Sequence, residues 1–298
     1  MEETQQLDFT LLLNVLKEQF RKIAIITAII GAFSVYYALS LPNIYEARAL
    51  VKFSKNNNQN LDTGGGTDFV SSIFSGLGGV SEDKHNTMQK LKSRDFFKIL
   101  YKDETFARDL MAFQSLGQTA NKYNEKIYDV ENSIFLPDAR PPESEAYREF
   151  LASHIEVASD RETGLVTVSI LHKSPEVAQQ WVSWIFDEIN LFIKDKEKEN
   201  ALLAYKYLEM KILTSPVSEL RKVNAALMQQ QLAKLMFAEV SKDFAIEYVD
   251  RASVPDRKSK PSRAIICILF TFFGGLGAFL FFYIREIMNI TKSQNHLV

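Results

Sequence analysis

An uninterrupted apolar run near the end of the chain, Ala264 to Ile284, constrains the fold more than any other feature of the sequence. It contains about 21 residues and no charged side chain. As an α-helix rising 1.5 Å per residue, it is roughly 30 Å long, which is the thickness of the hydrocarbon core of a bilayer. A second apolar run, Ile23 to Leu41, lies near the other end. The sequence therefore predicts two transmembrane helices, over 23–41 and 264–284.

The two spans determine which segments share a side of the membrane. The tails, residues 1–22 and 285–298, lie on one side, and residues 42–263 lie on the other. Basic residues beside a span favour the cytoplasm, and the first span is directly preceded by Lys17, Arg21 and Lys22. We therefore expect cytoplasmic tails and a periplasmic middle domain in a bacterial inner membrane. Both tails are too short to fold alone, so we expect no output domain there.

Two observations oppose this topology. The second span is preceded on the domain side by a basic cluster, namely Arg257, Lys258, Lys260 and Arg263. Long loops translocate largely regardless of charge, so we let the first span decide the orientation. The segment Ala38-Leu39-Ser40 resembles the cleavage site of a signal peptide, but the acidic residues before Ile23 favour a retained span.

Small residues recur at helical spacing in both spans. The first span has Ala24, Ala28 and Ala32, and the second has Gly274, Gly275, Gly277 and Ala278. Small residues so spaced allow two helix backbones to approach closely, so these positions are the predicted packing contacts of the spans. The alternative is that glycine and alanine are simply common in membrane helices.

The segments beside the first span have different patterns. Leu7 to Phe20 has a helical apolar pattern, which fits either an interfacial helix or an extension of the span. Tyr45 to Ser54 alternates as a strand with Ala47, Ala49, Val51 and Phe53 on one face. Lys55 to Gly79 is rich in glycine, but no Gly-Lys-Ser/Thr follows it, so we expect a mobile loop rather than a phosphate site.

The middle of the chain predicts a small sheet and several helices. A capped helical region begins at Ser81, with the apolar stripe Met88, Leu91, Phe96 and Leu100. Two alternating strands, His154–Ala158 and Leu165–Leu171, flank a turn that contains Asp160 and Gly164. A last strand is expected over Phe244–Arg251.

Between these strands the sequence predicts a long helical hairpin. Ser174-Pro175-Glu176 is a strong helix start, and neither proline nor glycine interrupts the chain from Pro175 to about Leu213. Ser215-Pro216 ends this helix, and a second one is expected from Val217 to about Lys242. The predicted fold is therefore α+β, with an elongated domain in which a small membrane-proximal sheet carries a long helical hairpin. The thin apolar stripes of such helices require partners, which favours an oligomer.

Composition argues against enzymatic and nucleic-acid functions. The formal net charge is −2, so no basic surface for nucleic acid is expected. The only cysteine, Cys267, lies in the second span, which leaves the large domain without a disulfide. The four histidines, His85, His154, His172 and His296, show no metal-ligand spacing. Glu197 and Glu199 are expected on a solvated helix face, where no pocket would support acid-base chemistry. We therefore expect no catalytic residue, cofactor or metal.

Four segments together resemble a known family. They are NIYEARALVKF after the first span, MQKLKSRDFF, RETGLVTVSILHKSPEVAQQW, and VPDRKSKPSRAIICILF at the second span. In this order the chain is similar to the bacterial polysaccharide co-polymerases of the chain-length-determinant (Wzz) type. The segment before the second span has Pro255 and Pro261, but it has Lys258 at a position where family members with a more proline-rich segment often have another proline.

The resemblance implies a non-catalytic inner-membrane regulator that sets the modal length of a lipid-linked glycan, often lipopolysaccharide O-antigen. It implies a ring-shaped homo-oligomer, a membrane glycan polymerase as partner, and lipid-linked polysaccharide as a further possible partner. Two alternatives stay open: a two-span periplasmic sensor, and an adaptor of a separate tyrosine kinase in capsule export. Four lysines on the long helices could contact sugar or neighbouring molecules, although solvated structural charge is the preferred interpretation. They are Lys194, Lys198, Lys206 and Lys211.

Overall fold

The computed structural model of the chain describes residues 9–53, 87–117, 121–160, 162–241 and 243–295. The chain divides into two compact units, one formed by Met1–Asn43 with Ser259–Val298 and the other by Ile44–Lys258. The predicted glycine-rich loop, Lys55–Gly79, and the predicted cap Ser81 lie outside the described residues.

The helices are α1 (Phe9–Ser40), α2 (Arg94–Lys102), α3 (Glu104–Met111), α4 (Glu143–Glu149), α5 (Pro175–Thr214), α6 (Ser218–Val240) and α7 (Arg263–Asn295). The strands are β1 (Tyr45–Phe53), β2 (Phe113–Leu116), β3 (Asn121–Tyr123), β4 (Tyr128–Asp129), β5 (Ile134–Phe135), β6 (Ile155–Ser159), β7 (Val166–His172) and β8 (Ile246–Asp250). A π-helical turn, Phe150–His154, joins α4 to β6.

The first unit is a pair of long apolar helices, α1 and α7, that pack against each other. Gln19–Ser40 in α1 and Arg263–Arg285 in α7 are long and apolar enough to cross a membrane. Helix α1 begins at Phe9 and continues without a break into its apolar part. Of the two interpretations of the segment before the first span, the structure therefore favours a helical extension over a separate interfacial helix.

The second unit is built on a four-stranded antiparallel sheet with the strand order β6-β7-β1-β8. Strand β1 aligns its small apolar residues with β7, so that Ala49 lies opposite Val168 and Val51 opposite Val166. These residues are buried, as the alternation along β1 predicts. The first half of α5 packs on β1 and β7 and contributes Trp181 to the same core. The predicted α+β class is therefore confirmed.

The helical region before the middle of the chain is divided by two caps. The Ser93 hydroxyl accepts a hydrogen bond from the Phe96 amide at 3.2 Å, and the Asp103 carboxylate accepts one from the Phe106 amide at 2.9 Å. Each acceptor satisfies an amide that has no partner inside its helix, so a new helix begins after each. The rings of the separate helices then meet in one aromatic core around Phe97.

The predicted hairpin forms from α5, which has 40 residues, and α6, which has 23. Two of the lysines considered as sugar contacts instead join its two helices. Lys194 Nζ donates to the Ser241 carbonyl at 3.3 Å, and Lys198 Nζ pairs with the Glu239 carboxylate at 2.5 Å. These contacts give Lys194 and Lys198 a structural role in the hairpin, and whether any of the four lysines contacts sugar stays a prediction.

Candidate functional site

Two of the predicted glycines, Gly274 and Gly275, lie against α1. A Cβ atom at Gly274 would lie 2.6 Å from Ile30 Cγ2, a distance at which the Ile30 side chain or the helix backbone must shift. A Cβ atom at Gly275 would lie 3.3 Å from Thr27 Oγ1. The absence of side chains at these two positions therefore permits the backbones to approach, as small residues do in membrane helix pairs.

The other predicted packing residues divide into two groups. Ala278 is buried beside Ile23 and Phe282 at the helix contact. Ala24, Ala28 and Ala32 are exposed, and no described atom lies within 4 Å of a Cβ at Gly277. Within one chain, these four positions lie away from the contact, and a packing role for them stays a prediction.

The face of α1 that meets α7 is not the alanine stripe. It contains Ile23, Thr27, Ile30, Ser34 and Ala38, which are buried or partly buried. Their spacing of four, three, four and four residues follows the seam of a left-handed helix pair. This spacing is visible in the sequence, but the four-residue repeat of alanine predicts a different packing face.

The proline segment contributes a residue to each unit. Pro255 lies in the second unit, and Pro261, which follows a cis peptide bond, lies in the first. Two residues after Pro261, the Arg263 guanidinium donates to the Leu41 carbonyl at 3.1 Å and to the Asn43 side-chain oxygen at 3.0 Å. The start of α7 is thereby tied to the end of α1.

A pocket of about 390 Å³ lies in the second unit, and sequence reasoning did not predict it. Its walls come from the end of α3, from α4 and the π-helical turn, and from the end of β7. They consist of Ile44, Asp109, Leu110, Met111, Phe113, Glu145, Glu149, Ser153, His154, Leu171, His172 and Lys173. π-Helical turns occur frequently at functional sites, which makes this pocket the candidate binding site of the unit.

The two histidines of the pocket are neutral and fixed in orientation. The His154 Nδ1 hydrogen is donated to the Leu171 carbonyl at 2.8 Å, because a carbonyl can only accept. The Nε2 atom of the same ring therefore carries a lone pair. Burial, together with the neighbouring His172, lowers the pKa of His154 to about 4. Burial also lowers the pKa of His172.

A second set of contacts fixes the other histidine. The His172 Nε2 hydrogen is donated to the Asp109 carbonyl at 3.1 Å, and its Nδ1 accepts the Ser174 amide at 3.0 Å. The Asp109 carboxylate accepts hydrogen bonds from Arg108 at 2.8 Å and from the Tyr123 hydroxyl at 2.7 Å. Burial and the Asp109 carboxylate raise the pKa of Tyr123 to about 12, so the phenol keeps its proton.

The sequence alone does not reveal this pocket because its residues come from four separate segments. In the sequence prediction His154 begins one strand of the pair and His172 directly follows the other, which is a weak signal that the two are neighbours. Their rings are 5.7 Å apart, and both contact Trp181. Among the described residues, no group of three or more histidine, cysteine or acidic side chains is arranged to hold a metal ion.

Together, these features define a two-unit protein: an apolar helix pair of membrane-spanning length and an α+β unit that carries a long helical hairpin and a polar pocket. Residues 5–104 match the family model described as Wzz, chain length determinant protein. This match covers about a third of the chain, and it confirms the resemblance to the chain length determinant family that was inferred from the sequence.

Two solved structures are similar to the chain. One is a full-length bacterial polysaccharide co-polymerase, which aligns with a TM-score of 0.41 and 14% identity over 96% of this chain and 98% of that one. The other is a fragment of WzzB, a polysaccharide co-polymerase from Salmonella Typhimurium, with a TM-score of 0.33 and 13% identity over 73% of this chain and 100% of that one. No curated protein matches the sequence.

Proposed function

We propose that this protein is a non-catalytic regulator of polysaccharide chain length in the inner membrane of a bacterium. In this proposal it biases the point at which a membrane polymerase stops extending a lipid-linked glycan, which is most simply the O-antigen of lipopolysaccharide. The observation that carries the proposal is the match of residues 5–104 to the chain length determinant family.

The apolar helix pair supports a membrane-anchored form of this function. Both helices reach the roughly 20 residues that a transmembrane span requires, and most of their surface is exposed within the single chain. Exposed apolar side chains such as Phe272, Phe273 and Phe281 are expected to lie in lipid. In the proposed topology both tails are cytoplasmic, and residues 42–263 are periplasmic.

The hairpin supports a homo-oligomer as the working form. Leu203, Tyr207 and Met210 recur along α5 at helical spacing and are 61%, 55% and 55% exposed. Exposed apolar stripes of this kind are typical of interfaces between chains. We propose that copies of the chain assemble into a ring through the hairpins, and that this ring acts on the polymerase or on the growing glycan.

Deletion of the gene tests the proposal directly. Lipopolysaccharide from a strain that lacks the protein is compared by gel with that from a strain complemented with the full chain. We expect deletion to replace a clustered distribution of chain lengths with an unregulated one, and complementation to restore the cluster.

The same experiment identifies the glycan. If the lipopolysaccharide bands are unchanged, the size distribution of capsular polysaccharide is measured in the same strains. A change in capsule size would support length control and would identify capsular polysaccharide, rather than O-antigen, as the glycan. Unchanged length of both polysaccharides overturns the proposed function and favours the sensor interpretation.

A further inference from the structure

The pocket of the second unit presents more hydrogen-bond acceptors than donors. Glu145 in the first turn of α4 and Glu149 at its end lie four residues apart, which places both carboxylates on the same side of the helix. Among the described residues, neither carboxylate forms an ion pair with a lysine or an arginine; the nearest ring nitrogen to Glu149 is His154 Nε2 at 4.0 Å. Both carboxylates are therefore able to accept hydrogen bonds from a ligand.

The His154 ring adds a third acceptor that cannot become a donor near neutral pH. Its Nδ1 hydrogen is used by the Leu171 carbonyl, so the Nε2 lone pair is the free position of the ring. Unlike a surface histidine, this ring is held by its contact with Trp181, at 5.5 Å between ring centroids. An acceptor that is fixed before binding loses little conformational entropy when a ligand arrives.

The remaining walls limit the class of ligand. Lys173 and Ser153 supply donors at the rim, and Ile44, Met111 and Phe113 form an apolar side. The two free carboxylates outnumber the one lysine, so the pocket disfavours phosphates and carboxylates. The volume of about 390 Å³ lies within the range of roughly 300–1,000 Å³ that small-molecule sites occupy. A ligand that donates several hydrogen bonds and has an apolar face fits these walls, and a neutral sugar has both properties.

We propose that this pocket binds a neutral saccharide unit, with the Glu145 and Glu149 carboxylates and His154 Nε2 accepting hydrogen bonds from its hydroxyl groups. The saccharide is taken to be part of the polysaccharide whose length the protein controls, so this inference rests on the proposed function. Lys173 and Ser153 donate to ring or hydroxyl oxygens at the rim, and the apolar side faces the C–H face of the sugar.

Intrinsic fluorescence measures binding because Trp181 contacts both pocket histidines. The probe is an oligosaccharide of one to three repeat units, hydrolysed from the surface polysaccharide of the source strain. It is titrated into the full chain in detergent micelles. We expect a saturable change in tryptophan emission with the oligosaccharide, and spermine, which carries amines in place of hydroxyl groups, is titrated separately as the cationic comparison ligand.

Two variants locate the binding site. Glu149→Gln removes an ionised acceptor and is expected to weaken binding about ten-fold, as the loss of a hydrogen bond to a charged group does. Ser153→Phe adds a phenyl ring at an exposed position of the pocket wall and is expected to block the pocket sterically without adding a tryptophan to the fluorescence signal. The matched control is Glu125→Gln, because Glu125 is exposed and does not line the pocket. Circular dichroism confirms that each variant is folded.

The outcomes separate this inference from the proposed function. If wild-type protein sets chain length in cells but Ser153→Phe binds the oligosaccharide as wild type does, the pocket is not the saccharide site and the inference is wrong. If spermine binds and the oligosaccharide does not, the pocket takes a cationic ligand and the inference is also wrong. If deletion leaves chain length unchanged while the wild type binds the oligosaccharide and both variants lose it, the saccharide site stands and the proposed function fails.

Discussion

The carboxamide of Asn190 holds the last strand of the sheet against the long helix. It is buried on α5, where its oxygen accepts hydrogen bonds from the Ala245 and Ile246 amides at 2.9 Å each. Its nitrogen donates to the Ile246 carbonyl at 3.0 Å. Each side-chain atom that can form a hydrogen bond is therefore used to fix the start of β8.

Replacement of Asn190 by leucine leaves two buried backbone amides without an acceptor. An unsatisfied buried group costs about 1–3 kcal/mol, so Asn190→Leu is expected to lower the free energy of unfolding by about 3 kcal/mol. Thermal unfolding followed by circular dichroism measures the loss. Gln180→Leu on the exposed side of the same helix is the control, and an equal loss in both variants would contradict this role of Asn190.

The neutral state of His154 makes the stability of the second unit depend on pH. Its pKa is about 4 in the folded protein and about 6.5 when unfolded, so the unfolded chain binds more protons between these values. The stability is therefore complete above pH 6.5 and falls as the pH decreases toward 4, by about 3 kcal/mol for this one group. His172 adds to the loss in the same direction, because burial lowers its pKa too.

The variant His154→Asn isolates this contribution. The midpoint of thermal unfolding is measured between pH 7 and pH 4 for the wild type and for the variant. We expect a smaller decrease for His154→Asn, because a titrating group has been removed. Parallel pH profiles would mean that His154 binds its proton equally well in the folded and unfolded states, and would contradict the lowered pKa.

At the scale of a helix pair, Gly274 and Gly277 provide a matched comparison. A side chain at Gly274 collides with Ile30, whereas one at Gly277 meets no described atom within 4 Å. Gly274→Leu is expected to overpack the contact of α1 with α7 at a cost of about 1–3 kcal/mol. Gly277→Leu is expected to leave this contact intact. Size-exclusion chromatography after heating in detergent measures the difference, and equal heat resistance of the two variants would contradict the observed helix face.

The elements of the second unit were largely predictable from local sequence signals. Ser174 and Pro175 define the start of α5, and the alternation of Ala47, Ala49 and Val51 identifies the buried face of β1. Contacts between distant segments were not predictable in this way. The buried Asn190 has no local signal, since its partners lie 55 and 56 residues further along the chain. The pocket is hidden for the same reason, because four separate segments contribute its walls.

For the whole molecule, substitutions in the exposed apolar stripe of α5 test the proposed assembly most directly. Leu203, Tyr207 and Met210 lie on a helix surface that α6 leaves uncovered. If copies of the chain meet there, a charge on the stripe must be desolvated in the assembly but not in the single chain. Leu203→Glu is therefore expected to reduce the oligomer mass while the secondary structure is retained. Mass photometry of the detergent-solubilised protein measures the mass, and circular dichroism measures the secondary structure.

The control for this prediction changes charge without touching the stripe. Glu209→Lys alters the charge of the same helix by two units at an exposed polar position, about 120° around the helix from Leu203. It is expected to leave the oligomer mass unchanged, because its charged side chain remains in water. In cells, loss of assembly in Leu203→Glu is expected to broaden the distribution of glycan lengths, since a regulator that acts as an oligomer cannot act as separate chains. An unchanged mass for Leu203→Glu would place the interface on a different surface, and an unchanged glycan length despite a reduced mass would show that assembly is not needed for length control.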